Sequence, residues 1–243
     1  MWTANIACIF TLLNLLLGFY AMMMHHMSIS MDNWALGALL LAFGCDFLDG
    51  YFARKKGLTS EFGERLDSLA DLISFGTAPM FFALSAREEW EVGLLFACGL
   101  YLVCGAVRLA RYDPETQGKM FKGMPIPIAG LTLASFTLAS RYTGVPYFQP
   151  QSPVAWFDFI PGLIGLLMIS DIPFEKVVFY GPKKWMPLTL AGISVCALAV
   201  TQNLPLAVLA FTIPYIILCL VLAIARDLQG RVRAMQEARS AVD

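Results

Sequence analysis

The sequence predicts an all-α integral membrane protein of about eight transmembrane helices, and three observations predict it. The 243 residues are 58% hydrophobic and only 14% charged, where a soluble domain averages about 25% charged, and the mean hydropathy is +0.66. The charges are gathered into short segments, and the stretches between them run to the ~20 apolar residues that cross a bilayer as a helix. Of the 17 lysines and arginines, fifteen fall in alternate connecting segments.

Taken in order, the predicted spans are 4–24, 33–53, 66–86, 91–110, 124–141, 154–170, 186–201 and 205–225. Pro161, Pro205 and Pro214 lie within or at the ends of the later ones, where neighbouring helices can satisfy a carbonyl that proline leaves free. The segment 226–243 is a polar tail, amphipathic at most. The connecting segments are too short for a soluble domain, and no repeat is visible. A formal net charge of -1 carries no nucleic-acid signal. The N-terminus lacks the basic region and cleavage site of a signal peptide.

The six cysteines are scattered through apolar stretches with no CxxC pair, so they read as small buried hydrophobes rather than disulfide or zinc ligands. The two histidines, His25 and His26, read as a solvated turn rather than a ligand set. Arg54, Lys55, Lys56 and Arg65 lie in the first basic loop; Arg108, Arg111, Lys119 and Lys122 lie in the second. Lys176, Lys183 and Lys184 form the third, and four arginines lie in the tail. The opposite loops hold only Arg87 and Arg141. The positive-inside rule then places both termini and the 54–65 loop in the cytoplasm.

The chemistry concentrates between Asp46 and Asp71, in DFLDGYFARKKGLTSEFGERLDSLAD. At 100° per residue, Asp46, Asp49, Gly50 and Ala53 share one helix face; Gly63, Asp67, Asp71, Ser74 and Ala78 share another. The two helices are consecutive and antiparallel, so the acidic faces can meet. Asp46 lies eight residues, about 12 Å, above Arg54, within the bilayer rather than in the loop. A carboxylate there costs at least ~2.5–3.5 kcal/mol, and four would repel one another. Divalent cations remove that penalty, and all-oxygen ligation by aspartates suits Mg²⁺ or Mn²⁺, two of which fit four carboxylates. Gly50 and Gly63 leave room for a phosphate or nucleotide close to the backbone, and the Arg54 guanidinium can take a diphosphate bidentately. Aspartates that merely cap or solvate helix ends would not need two matched faces with interleaved glycines.

The string D-x-x-D-G-x-x-A-R-x8-G-x-x-x-D-x-x-x-D, here Asp46, Asp49, Gly50, Ala53, Arg54, Gly63, Asp67 and Asp71, resembles the signature of the CDP-alcohol phosphotransferases without departure. The resemblance implies a six-helix membrane core, two divalent metals on the four aspartates, Asp71 as general base, and the arginine and glycines around CDP. It divides the chain into a core at 1–176, two additional helices at 177–225 and the cytoplasmic tail.

Downstream, SFGTAP (Ser74–Pro79), RLARY (Arg108–Tyr112), KGMPIP (Lys122–Pro127) and MISDIPF (Met168–Phe174), with Thr11 and Asn14 as a T-x-x-N element, resemble the phosphatidylserine synthase branch. That branch implies transfer of a phosphatidyl group from CDP-diacylglycerol to L-serine, releasing CMP, at a bacterial inner membrane. The expected partners are those two substrates and membrane lipids, with no nucleic acid; a homodimer is left open. Ser74, Arg108, Arg111, Lys119 and Lys122 are candidate contacts to substrate or lipid. Against that, SFGTAP also reads as a helix-packing stretch, the arginines as membrane anchors, and the lysines as headgroup contacts. Asn14 reads as an interhelical hydrogen-bond donor. Two alternatives remain: a family member accepting glycerol 3-phosphate or inositol phosphate, and an ion-coupled transporter using the acidic cluster as a cation site.

Overall fold

The computed structural model describes residues 6–56, 60–86, 91–111, 120–142, 156–175 and 203–240. The elements are α1 (Ile6–Met27), a short 3-10 turn (Ile29–Met31), α2 (Asp32–Lys56) and α3 (Glu61–Asp71). A wide π turn (Leu72–Thr77) leads into α4 (Ala78–Ser85). Then come α5 (Val92–Ala110), β1 (Met120–Lys122), α6 (Ile126–Tyr142), α7 (Trp156–Ile169), β2 (Pro173–Glu175) and α8 (Leu204–Ser240). Ala7–Met27, Asp32–Ala53, Glu61–Ser85, Val92–Ala110 and Leu204–Arg226 are long and apolar enough to cross a membrane; Ile126–Ser140 and Phe157–Ile169 are shorter apolar helices. These seven correspond to seven of the predicted spans. The one at 186–201 lies outside the described residues. The last helix runs on through the polar tail to Ser240.

The bundle is apolar both inside and out. Leu41, Phe96, Val103, Leu163, Ile217 and Val221 are exposed, as expected of side chains whose solvent is lipid. The interior relies on small residues, because burying apolar groups away from lipid gives little drive and close backbone approach must supply contact instead. Ala21, Ala35, Ala38, Leu36 and Leu39 pack α1 against α2, and this cluster extends to Phe82 of α4 and Leu131, Ala134 and Leu138 of α6. A second cluster joins Phe75, Tyr101, Cys104, Leu133, Phe157 and Met168. Like α2, α4 and α8, α6 contributes to both clusters, and α8 packs against α6 and against β2. Cys98, Cys104 and Cys219 are buried without disulfides, as small hydrophobes.

The SFGTAP stretch is where three helices converge. Pro79 has no N–H to offer the carbonyl of Phe75 one turn earlier, and the buried Tyr101 hydroxyl of α5 donates to that carbonyl instead. Gly130 of α6 lies so close that a Cβ there would sit 2.6 Å from the same oxygen. Gly18 of α1 lies equally tight against Ser74, with a Cβ 2.6 Å from the Ser74 Cα. Both glycines serve close approach, and the stretch is a packing node.

One expectation needs correcting. His25 is not part of a solvated turn: it is buried in the last turn of α1. Its Nδ1 lies 2.7 Å from Asp32 Oδ1 and its Nε2 lies 2.7 Å from Ser85 Oγ. The Ser85 hydroxyl donates to the Phe81 carbonyl, 2.8 Å away, so it accepts from His25. Three helix ends are thereby clasped together. The aromatic rings of Phe81 and Phe82 flank the imidazole, and their contribution could not be read from the adjacency of two histidines.

Candidate active site

The acidic site forms at the other end of α1, α2 and α3. Ser60 caps α3, accepting the Gly63 N–H at 3.1 Å, and Glu61 and Glu64 in the first turn suit the positive helix N-terminus. Starting the helix there sets the phase that turns Asp67 and Asp71 toward α2. The carboxylates of Asp46, Asp49 and Asp67 converge, with one oxygen from each lying within 4.8 Å of the others. Asp49 is buried, and Asp46 and Asp67 are half-buried. Asp71, buried, stands beside this trio and interacts electrostatically with Asp46, Asp67 and Asp49.

Two of the four are held by α1. Thr11 Oγ1 donates to Asp49 Oδ2 at 2.8 Å, and Asn14 Nδ2 donates to Asp71 Oδ1 at 3.0 Å. The Asn14 backbone carbonyl accepts the Ser74 hydroxyl at 2.9 Å. The T-x-x-N element thus positions one carboxylate from each acidic helix, and Ser74 acts two hydrogen bonds away from Asp71. Asn14 is the interhelical donor its sequence setting suggests. Thr11 was not singled out among the site residues; its three-residue spacing from Asn14, on one helix face, was the available signal.

The donor set suits a divalent ion. Three carboxylates meet, one buried and two half-buried, and Asp67 Oδ1 is buried with no hydrogen-bond donor among the described residues. A neutral or purely structural role would leave that oxygen desolvated without return. Gly50 and Ala53 of α2 are half-buried along the same helix, as is Gly63 of α3. The side chain of Arg54, although its backbone is helical, lies outside the described residues, as does the whole of Lys119.

Arg108, Arg111 and Lys122 come together elsewhere, in a cavity of about 110 Å³ shared with Ser170 and Asp171. Its level along the bundle follows from Tyr101, which is paired with Phe75. Arg108 lies seven residues beyond Tyr101 on α5, and Asp71 and Asp67 lie four and eight residues before Phe75 on the antiparallel helix. At 1.5 Å per residue these offsets are about 10, 6 and 12 Å in the same direction. The basic cavity is therefore level with the aspartates. The chain around it is pinned by the β1–β2 ribbon, in which Lys122 pairs with Pro173. Ser170 and Asp171 lie in the MISDIPF segment but were not named as site residues, because they sit in an irregular link with no helical face to read.

Residues 4–175 match the profile of the CDP-alcohol phosphatidyltransferase family. The chain is 37% identical over 148 residues to archaetidylserine synthase of Methanothermobacter thermautotrophicus, covering 60% of this chain and 59% of that one. It is 36% identical over 166 residues to the CDP-diacylglycerol–serine O-phosphatidyltransferase of Methanocaldococcus jannaschii, covering 68% and 71%. To the enzyme of that name from Bacillus subtilis it is 37% identical over 137 residues, covering 54% and 76%. With the profile spanning all of α1 through β2, and the aspartates of its motif facing one another across two helices, the chain belongs to the CDP-alcohol phosphatidyltransferase family.

Proposed function

We propose that the chain transfers the phosphatidyl group of CDP-diacylglycerol to L-serine, giving phosphatidylserine and CMP. The observation that carries this reading is the convergence of Asp46, Asp49 and Asp67, with Asp71 buried beside them on the same helix face. Asp46, Asp49, Asp67 and Asp71 hold two divalent ions, Mg²⁺ or Mn²⁺. Bound there, the ions supply charge neutralisation for the diphosphate and for the departing CMP.

The chain's own residues do the rest. Gly50, Ala53 and Gly63 leave the nucleotide close to the backbone, and Arg54 takes the diphosphate. Asp71 accepts the proton of the acceptor hydroxyl as its oxygen attacks the lipid-side phosphorus in line. Asn14, bonded to one oxygen of Asp71, leaves the other to receive that proton. Arg108, Arg111 and Lys122 form the acceptor cavity, and Lys119 belongs with the headgroup contacts. The core spans 1–176, with the segment 177–225 outside it. The positive-inside distribution supports a cytoplasmic side for the site, both termini and the 54–65 loop, and the membrane of this reading is a bacterial inner membrane.

The names borne by the three relatives support a serine acceptor. The test is direct: purified protein with CDP-diacylglycerol and Mg²⁺ releases CMP on addition of L-serine, and does not with glycerol 3-phosphate. The opposite pattern would keep the family and remove the serine assignment.

A further inference from the structure

The basic cavity contains a residue that a purely anion-binding site would not want. Asp171 shares it with Arg108, Arg111 and Lys122, is exposed, and forms no ion pair with them among the described residues. Its position is built, not incidental. On one side the Ser170 hydroxyl donates to the Leu167 carbonyl at 2.9 Å. On the other, the Ile172 carbonyl accepts the Gly123 N–H at 2.9 Å, and the Met124 N–H reaches the Leu167 carbonyl at 3.0 Å. Gly123 has φ 76°, and a Cβ there would run into the Met168 carbonyl and lie 3.0 Å from the Ser170 oxygen. Only glycine tolerates both demands. The backbone carrying Asp171 is thus fixed against the strand that carries Lys122.

A cavity of about 110 Å³ exceeds the ~10–15 Å³ that holds a single water, so it has room for a small organic molecule. Three cations and one carboxylate suit a molecule carrying both signs. A phosphorylated alcohol would set about two negative charges against Asp171, whereas an ammonium group would be attracted to it. Resting on the serine-acceptor reading above, we infer that Asp171 recognises the ammonium group of the amino-acid acceptor while an arginine of the Arg108–Arg111 pair takes its carboxylate. Asp171 is then the residue that separates a zwitterionic acceptor from an anionic one of the same size.

The test compares L-serine with glycerate, which replaces the ammonium by a hydroxyl and keeps the carboxylate and primary alcohol. With the full chain, CDP-diacylglycerol micelles and Mg²⁺, Asp171→Asn should raise the KM for L-serine about 10- to 100-fold, the worth of a hydrogen bond to a charged group. The inhibition constant of glycerate against L-serine should stay level or fall, and the KM for CDP-diacylglycerol should not move. An unchanged preference for serine over glycerate would overturn the inference. So would an equal loss of both together with weakened CDP-lipid affinity, which would mark Asp171 as structural. If the unsubstituted protein used glycerol 3-phosphate and not L-serine, the serine reading would fall and this one with it. Serine turnover with an unmoved preference would remove this one alone.

Discussion

The two ends of the bundle use the same kinds of residue to opposite ends. Thr11 and His25 on α1, Asp46 and Asp32 on α2, and Asp71 and Ser85 on the third helical segment are each fourteen residues apart, about 21 Å of helix. At the clasp end, the acid meets an imidazole and the imidazole meets a hydroxyl, so each buried group has a counterpart. At the acidic end, carboxylate faces carboxylate, and α1 contributes neutral donors, Thr11 to Asp49 and Asn14 to Asp71. A cluster of complementary groups holds helices together. A cluster of like charges has room for a cation between its members, and the energy to hold it in place must come from elsewhere in the fold. The clasp is well placed to provide it, since it fixes α1, α2 and α4 relative to one another.

That contrast can be broken most severely by removing metal. In excess EDTA we expect CMP release to fall by on the order of 10³-fold or more, the several kcal/mol that metal ions contribute to such charge development, and to return with Mg²⁺ or Mn²⁺. Full turnover in chelator would show the acidic end to be as self-contained as the clasp.

Next comes Asp71→Asn, expected to lower kcat about 10²- to 10⁴-fold while CDP-lipid binding persists. Asp46→Asn should weaken metal and CDP-lipid binding together. Equal loss of binding in both variants would erase the separation between the trio and the residue beside it.

A smaller effect is expected from α1. Thr11→Val removes the donor to Asp49 and should reduce metal affinity or turnover about 10- to 100-fold, as loss of a group that orients a ligand does. Its thermal unfolding midpoint in detergent should barely move. A normal metal titration in this variant would mean the T-x-x-N element only packs helices.

The clasp should show the reverse pattern. Asp32→Ala leaves the buried Nδ1 of His25 without its hydrogen-bond partner, at a cost of about 1–3 kcal/mol. We expect a clearly lower unfolding midpoint and less than about threefold change in kcat for the protein that remains folded. A large kcat loss at temperatures where the variant is fully folded would tie the two ends together functionally and end the comparison as drawn.

Much of this was legible in the sequence because membrane helices obey local rules. A span announces itself by length and apolarity, and two aspartates three or four residues apart must share a face whatever surrounds them. The seven apolar helices among the described residues, and the acidic faces that bring Asp46, Asp49 and Asp67 together, follow from those rules. So does the buried interhelical role of Asn14, since a neutral amide in an apolar helix seeks a partner across the bundle.

The rest depended on residues brought together from distant parts of the chain. Nothing near His25 in sequence discloses Ser85, sixty residues away, so adjacency to His26 suggested a solvated turn. Nothing in an irregular link such as 170–172 has a period from which a face could be read. Asp171 joins Arg108 only because Gly123, at positive φ, lets one strand lie against another. Sequence by itself determined the membrane class, the helix faces and which aspartates share each face, since each depends on the local run of residues along one helix. Tertiary structure decided which polar groups are satisfied and which are left with capacity to bind, because that depends on what the other helices place opposite them.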